Sequence, residues 1–346
     1  MKELNIACLP VAGIKNPYQY LMIKGLNECE RINAFNGVDD RFFGIFRTLL
    51  KYKLSYIHFD WIQNYYIRRR LWMTLILLPV FLFQLLYIRV FTKTKIVWTL
   101  HNIMPHNAEH LLFNKWVRHF FAKQCKWIRV FSEDSIQKAS KELNIPINKF
   151  IVVPEGDYTF FYENNITQKQ ARQQLKINDL KKVFLYLGFI KPYKGLEKLI
   201  KEFSKLEDKE ICLIIAGEGI NKKYTELLKR QICELNDQRI KLTATFIPLN
   251  DLQTYYNAAD LVVLPFDKVE NSGSAIMAMG FKKPIIAPKM GALKNRLKQQ
   301  DLLLYDFLDN GLKNALQLEK NDLEELGKQN FLALQNNNWE DYTKYF

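Results

Sequence analysis

The sequence is short of cysteine. Its five cysteines, Cys8, Cys29, Cys125, Cys212 and Cys233, are odd in number, widely spaced and without a Cys-x-x-Cys pair. That excludes a disulfide framework and a zinc cluster and fits a reduced compartment. Acidic residues are also in deficit: 36 Asp and Glu stand against 50 Lys and Arg, a formal charge of +14. Such a surplus favours an anionic partner, whether nucleic acid, acidic lipid headgroups or a phosphorylated ligand, and charge alone does not choose among them. The opening Met1-Lys2-Glu3 runs straight into the strand-like Leu4–Leu9 and lacks the basic, apolar, small-residue order of a signal peptide. No internal repeat or low-complexity block is present, and no Asp-x-Asp pair stands in a strand-end loop, so no metal is expected. With 48% hydrophobic and 25% charged residues over 346 positions, the composition is that of a globular chain long enough for two α/β domains.

Long hydrophobic runs are absent with one exception. Leu71–Ile88 carries no charge over 18 residues and is flanked by Arg68, Arg69 and Arg70 on one side and Arg89, Lys93 and Lys95 on the other. That length is the threshold for a membrane span. Pro79 and Gln84 interrupt it, both flanks are basic so no sidedness is specified, and strand-like segments lie on either side. Crossing a membrane here would divide one domain in two. A half-buried helix lying in the plane of an acidic membrane surface fits better, burial between a sheet and its neighbours being the alternative. The expected location is cytoplasmic, with peripheral or monotopic attachment to the inner face of the cell membrane.

Short apolar runs recur at Leu4–Leu9, Leu54–Phe59, Lys95–Leu100, Trp127–Phe131 and Phe150–Val153, with helical spacing between them. This alternation predicts a parallel sheet. It breaks after Pro154 and restarts with Val183–Leu187, Ile211–Ala216, Leu242–Phe246, Leu261–Leu264 and Pro284–Ala287. Two doubly wound α/β domains facing a cleft follow, with ligands expected beyond the carboxyl ends of the strands. The divisions are placed at 1–160, 161–330 and 331–346, the last containing an aromatic-rich helix over Trp339–Phe346.

Three segments behind such strands carry chemistry. Asn271-Ser272-Gly273-Ser274 opens a helix; its small residues leave backbone N–H groups accessible and its hydroxyls add donors, which suits a diphosphate. A plain serine N-cap explains part of the same pattern. Gly188 to Gly195 follows the first strand of the second half, and its turn can hold Lys191 or Lys194 as a counter-charge for a phosphate, although solvated surface lysines read the same way. Val97-Trp98-Thr99-Leu100-His101-Asn102 ends a strand in His-Asn, with Pro105-His106 close behind, so His101 is aimed past the sheet's carboxyl edge.

Taken in order, these segments resemble the group 1, GT4-like glycosyltransferases of bacterial polysaccharide assembly over essentially the whole chain. His101-Asn102-x-x-Pro105-His106 matches that family's His-Asn motif, and Gly188-Phe189-Ile190-Lys191-Pro192-Tyr193-Lys194-Gly195 matches its basic turn. Asp251 to Asp260 followed by Leu264-Pro265, and Asn271 to Ser274 as the diphosphate loop, complete the set; Asn16-Pro17-Tyr18 and Trp339 also fit its two ends. Two positions depart. The family's paired glutamates fall at Val269 and Met277, with Glu270 adjacent, and the arginine after its first glycine is Phe189, which leaves Lys191 to carry that charge.

The resemblance implies a GT-B fold with two Rossmann-like domains and a terminal helix crossing back to the first. It implies a donor site of Gly188, Lys191, Lys194, Glu270, Asn271, Ser272, Gly273 and Ser274, and an acceptor side of Gly13, Tyr18, Asn102 and His106. His101, Asp60 and Lys194 are the expected catalytic groups, Asp60 serving as general base if the reaction inverts. Retention is what the family favours. The expected partners are a UDP- or GDP-linked sugar, a lipid-linked saccharide acceptor and an anionic membrane surface, with no metal cofactor and no nucleic acid. A nucleotide-sugar epimerase on the same scaffold and a basic nucleic-acid-binding protein are the competing classes.

Overall fold

The computed structural model describes residues 3–13, 16–68, 70–103, 111–177, 182–307, 311–318 and 323–346. The chain divides into two compact units: residues 1–155 with 338–346, and residues 156–337. The expected division after residue 160 thus falls a few residues inside the second unit. The expected final segment from 331 also begins there, because the helix Leu323–Gln335 belongs to the second unit and only the residues from Asn338 onward belong to the first.

In the first unit the strands are Leu4–Leu9 (β1), Ile32–Asn36 (β2), Tyr56–Phe59 (β3), Lys95–Thr99 (β4), Cys125–Val130 (β5) and Phe150–Val152 (β6), all parallel, in the order β2-β1-β3-β4-β5-β6. The strand missing from the sequence reading is β2. It is an edge strand whose INAFN sequence places two asparagines among three apolar residues, so it has no continuous apolar run. On one sheet face Trp98, Phe121, Phe81 and Phe59 interlock through edge and stacked ring contacts of 5.3–6.0 Å, which ties the helices Leu71–Phe91 and Leu111–Gln124 to the strands.

Leu71–Phe91 is a continuous helix despite Pro79. Leu77, Leu78, Phe81, Leu85 and Ile88 are buried, whereas Leu71, Trp72, Leu75, Ile76, Phe83, Leu86, Val90 and Phe91 are exposed. Both faces are therefore apolar, one for the core and one without a protein partner among the described residues. Gln84, the polar residue in the run, is buried for a reason: its Oε1 accepts the Phe46 amide at 3.0 Å and its Nε2 donates to the Phe42 carbonyl at 2.8 Å, satisfying the start of the helix Gly44–Lys51. By length and composition it is the one helix among the described residues that could cross a membrane.

The opposite face is closed by the helix Tyr18–Asn27 and by residues 339–345, a 3-10 helix. Tyr342 is buried, and Phe346 packs on Tyr56 and Trp127 with ring centroids 5.0 and 5.3 Å away.

The second unit repeats the plan with Lys182–Leu187 (β7), Ile211–Ala216 (β8), Ile240–Thr243 (β9), Leu261–Val263 (β10), Ile285–Pro288 (β11) and Leu304–Tyr305 (β12), parallel, in the order β12-β11-β10-β7-β8-β9. The two-residue edge strand β12 was too short to be legible, and β9 lies slightly before the expected Leu242–Phe246.

A side chain at Gly25 would meet Trp339 Cβ at 2.4 Å and its backbone carbon at 2.7 Å. Alanine at this helix position gains at most about 1 kcal/mol of propensity. The backbone contact cannot rotate away, and overpacking of this kind costs about 1–3 kcal/mol. The Gly25→Ala protein is therefore expected to be the less stable in urea denaturation; equal or greater stability would show that residues 339–345 are not held this tightly.

Candidate active site

At the carboxyl edge of the first sheet, Asp60 follows β3 and His101 follows β4. Asp60 is fully buried. Its Oδ1 lies 2.9 Å from His101 Nε2, and its Oδ2 accepts from Gln19 Nε2 at 3.1 Å. Its carbonyl accepts the Trp98 indole N–H at 3.1 Å and its amide donates to the Leu9 carbonyl at 2.9 Å. Burial pushes the carboxyl's pKa up, and the neighbouring His58 with the hydrogen bonds from His101 and Gln19 outweighs it, so the group stays below its ordinary value. An ionised Asp60 fixes the His101 tautomer with hydrogen on Nε2 and leaves Nδ1 as the acceptor of a proton. The imidazole is held flat against Trp61, with centroids 4.6 Å apart, and edge-on to Tyr18 at 4.7 Å. Asp60 has no exposed side-chain surface, and His101 is the member of the pair that reaches the surface.

His58, one strand position before Phe59, is buried with its Nε2 2.9 Å from Thr99 Oγ1. Burial drives its pKa down to about 4, so it is neutral at ordinary pH. Tyr18 is buried; its hydroxyl donates to Thr99 Oγ1 at 3.4 Å and accepts from Arg129 Nη1 at 3.3 Å. Its ring forms part of the wall around His101 and its hydroxyl is turned inward. Gly13 is exposed with open space where a side chain would stand. Asn102 offers its carbonyl to Arg118, which also donates to the Ile103 carbonyl at 3.0 Å. His106 lies outside the described residues. The sequence reading missed Gln19, His58, Trp61 and Arg129. Only the position of His58 and Trp61 beside Asp60 at a strand end could have pointed to two of them.

In the second unit, Gly188 leaves β7 with φ +154°, and a side chain there would come within 3.0 Å of Ser274 Oγ. The turn ends at Gly195, φ +69°, where a side chain would collide with the Pro265 carbonyl at 2.0 Å. Only glycine fits both positions. The Gly188–Gly195 turn and the Ser272–Ser274 loop are thus packed side by side at the carboxyl ends of β7 and β10. Ser272 is buried and caps the helix Gly273–Gly280, accepting from the Ala275 amide at 3.2 Å. Its oxygen is therefore committed to the helix. Gly273 is exposed, and among the described residues a Cβ added there would meet only the Tyr158 ring, at 3.4 Å; Ser274 is half-buried. Asn271 Oδ1 is buried without a hydrogen-bond partner, and Glu270 is half-buried beside it.

Lys191 and Lys194 are both half-buried in the turn. Lys194 Nζ stands 3.8 Å above the Phe266 ring. Burial, with the charge of Lys191, lowers its pKa to about 7; burial also lowers that of Lys191. Partial desolvation disfavours the ammonium form of both lysines, and a nearby anion would restore it. Among the described residues no group of three or more His, Cys, Asp or Glu is placed to hold a metal ion.

Comparisons with known proteins bear on the fold and the family. Two-sheet solved structures share the fold across the chain: Anabaena HepE in complex with UDP and glucose at TM-score 0.73 and 16% identity, covering 99% of this chain and 98% of that one, and sucrose-phosphate synthase from Thermosynechococcus elongatus at TM-score 0.73 and 18% identity, covering 99% and 97%. The fold is GT-B, two α/β domains with parallel sheets. Residues 167–326, just under half of the chain and almost all within the second unit, match the family Glycosyl transferases group 1, so that unit carries a group 1 glycosyltransferase domain. The chain's relatives include a GDP-mannose:glycolipid 4-beta-D-mannosyltransferase of Xanthomonas campestris pv. campestris, 26% identical over 253 residues, 73% of this chain. The match spans 66% of that relative's length, just under two thirds. A lipopolysaccharide 1,2-N-acetylglucosaminetransferase of Salmonella typhimurium is 29% identical over 164 residues, 45% of this chain and 42% of its own.

The depressed Lys194 pKa has a readable consequence. A bound diphosphate favours the ammonium form, so below pH 7 the charge is already present, whereas above pH 7 binding must take up a proton. Affinity for UDP-glucose or GDP-mannose, whose diphosphate does not titrate in this range, is expected to fall toward tenfold per pH unit above about 7. Calorimetry from pH 6 to 9 measures it, with Lys194→Arg losing the dependence. A flat profile in the parent would place the anion elsewhere.

Proposed function

We propose that this glycosyltransferase moves a sugar from a nucleotide-diphosphate donor, held by the second unit, to a hydroxyl of a lipid-linked saccharide presented to the first, in the assembly of a polysaccharide or lipid-linked glycan. The observation that carries the reading is the pairing, within one unit, of the open Gly273 helix start with the Gly188–Gly195 turn and its two half-buried lysines. Backbone N–H groups and Ser274 meet the diphosphate while Lys191 and Lys194 supply its counter-charge. As the glycosidic bond breaks, charge grows on the departing diphosphate, and a fixed donor there contributes about 3–4 kcal/mol. The protein's own donors and cations do this work, so the reaction proceeds without a divalent metal. Solved neighbours holding UDP and UDP-glucose, and a relative named for a glycolipid acceptor, support the donor and acceptor classes.

Substituting valine at Gly273 is expected to abolish donor binding in excess EDTA while leaving folding intact, because the only neighbour of a new side chain is the Tyr158 ring edge and the space beyond is that of the phosphate. Parent-like binding by the Gly273→Val protein, or loss of the parent's activity on chelation, would sink the donor assignment or its metal independence respectively.

The acceptor side supports inversion, in contrast to the retention that the family resemblance implies. The Asp60–His101 pair is built as a base: His101 Nδ1 takes the proton of the attacking hydroxyl, and Asp60, at 2.9 Å from Nε2, stabilises the imidazolium that forms. A retaining displacement needs no such base. The relative whose name specifies a 4-beta-D linkage from GDP-mannose also fits this course. The expected product of an α-linked donor is therefore the β-anomer by NMR, and His101→Ala should lower kcat by about 10²–10⁴ with donor affinity unchanged. An α-linked product made by a fully active His101→Ala protein would restore the retaining reading.

The protein works, on this proposal, at the cytoplasmic face of a membrane. The exposed apolar stripe of Leu71–Phe91 enters the headgroup boundary, and Arg68 and Arg70 meet anionic lipid at its start.

A further inference from the structure

A hollow of about 400 Å³ lies at the far end of the same helix. Arg89, Lys93, Lys95, Lys123 and Lys126 line it together with Thr92. Five of its side chains are basic and none is acidic, and among the described residues none of the five forms an ion pair. Two of the cations, Arg89 and Lys126, are held by neutral groups. Lys126 Nζ donates to the Tyr56 hydroxyl at 3.2 Å and stands 4.3 Å from the Trp127 ring centroid, and Arg89 donates to Gln124 Oε1 at 3.1 Å. The partial negative charge of a helix carboxyl end is about half a unit and does not offset five cations.

The hollow sits at the amino ends of β4 and β5, since Lys95 opens β4 and Lys126 is the second residue of β5. Asp60 and His101 follow the carboxyl ends of β3 and β4, the other edge of the same sheet. The hollow is therefore not part of the catalytic constellation. What it adjoins is the exposed apolar stripe: Phe83, Leu86, Val90 and Phe91 belong to the helix whose last turn contributes Ile88 and Arg89 to the lining.

We propose that this hollow binds the phosphate headgroup of an anionic phospholipid, whose acyl chains lie against Phe83, Leu86, Val90 and Phe91. The proposal rests on the membrane reading above and specifies it. A helix of 21 residues is about 30 Å long. Basic groups at both of its ends, with an apolar stripe between, touch one surface together only if the helix lies in its plane. Arg68 and Arg70 then make one contact and the hollow makes the other.

Vesicle co-sedimentation of the full chain tests this, using phosphatidylcholine alone and phosphatidylcholine with 30% phosphatidylglycerol. The parent is expected to prefer the anionic vesicles. Each basic residue at such a surface contributes roughly fivefold to partitioning, so the combined Arg89→Gln, Lys93→Gln, Lys95→Gln protein should lose at least tenfold. A charge-matched control, Lys209→Gln, Lys222→Gln, Lys223→Gln, alters exposed residues of the second unit and should bind as the parent does. Equal loss in both variants would reduce the effect to net charge and overturn the site. Parent-like binding by the first variant would also overturn it while leaving the membrane reading standing. Failure of the parent to bind either vesicle would remove the membrane reading itself. Complete competition by 10 mM inorganic phosphate at constant ionic strength would make the hollow a soluble-phosphate site instead. Unchanged thermal melting of both variants confirms that folding is not the cause.

Discussion

The carboxylate of Asp60, charged and without solvent, is the constraint around which the first unit's functional edge is arranged. A buried ion is tolerated only when its oxygens are occupied by strong donors. His101 and Gln19 occupy them, and each partner is thereby fixed to a further element. Gln19 also receives the Ala12 amide at 2.7 Å and donates to the Pro10 carbonyl at 3.0 Å, so the loop after β1 is set by the same group that orients the imidazole. Trp98, which binds the Asp60 carbonyl, also packs edge-on against Phe121, the ring on which the aromatic core of one sheet face converges. Disturbing this carboxylate would therefore reach from the site's chemistry into the packing that supports it.

The second unit solves a complementary problem. Lys191 and Lys194 are partly kept from water and form no ion pair among the described residues, while Asn271, in the loop before Gly273, has a buried Oδ1 without a hydrogen-bond partner among them. As the region stands it disfavours the ammonium form of Lys194, and an arriving anion would favour that form. One unit holds a satisfied charge and the other an unsatisfied one, which suits a positioned base on one side and a ligand site on the other.

Much of this was legible from sequence where local chemistry decides it. Ten of the strands follow apolar runs flanked by turn residues, and the Gly188–Gly195 and Asn271–Ser274 segments announce themselves because a glycine or a helix start has consequences within a few residues. The short edge strands β2 and β12 were not legible, since an edge needs only one apolar side. Nor were Gln19 and Arg129. Gln19 meets Asp60 across 41 positions and Arg129 meets Tyr18 across 111, so these partnerships arise from the parallel sheet's register and leave no trace in local spacing. Leu71–Phe91 read as a membrane-like run because a helix that is apolar on both its core face and its outer face has no period for a sequence to display.

Residues 338–346 complete the first unit, yet they are synthesised after all of residues 156–337. Until they emerge, Tyr56 and Trp127 lack the Phe346 ring that packs on them, and Arg129 lacks the Tyr342 ring that lies 4.7 Å from its guanidinium. At about 5–20 residues per second the intervening unit takes on the order of ten seconds or longer to translate. Throughout that interval Tyr56, Trp127 and Arg129 stand without the aromatic rings that cover them in the finished protein.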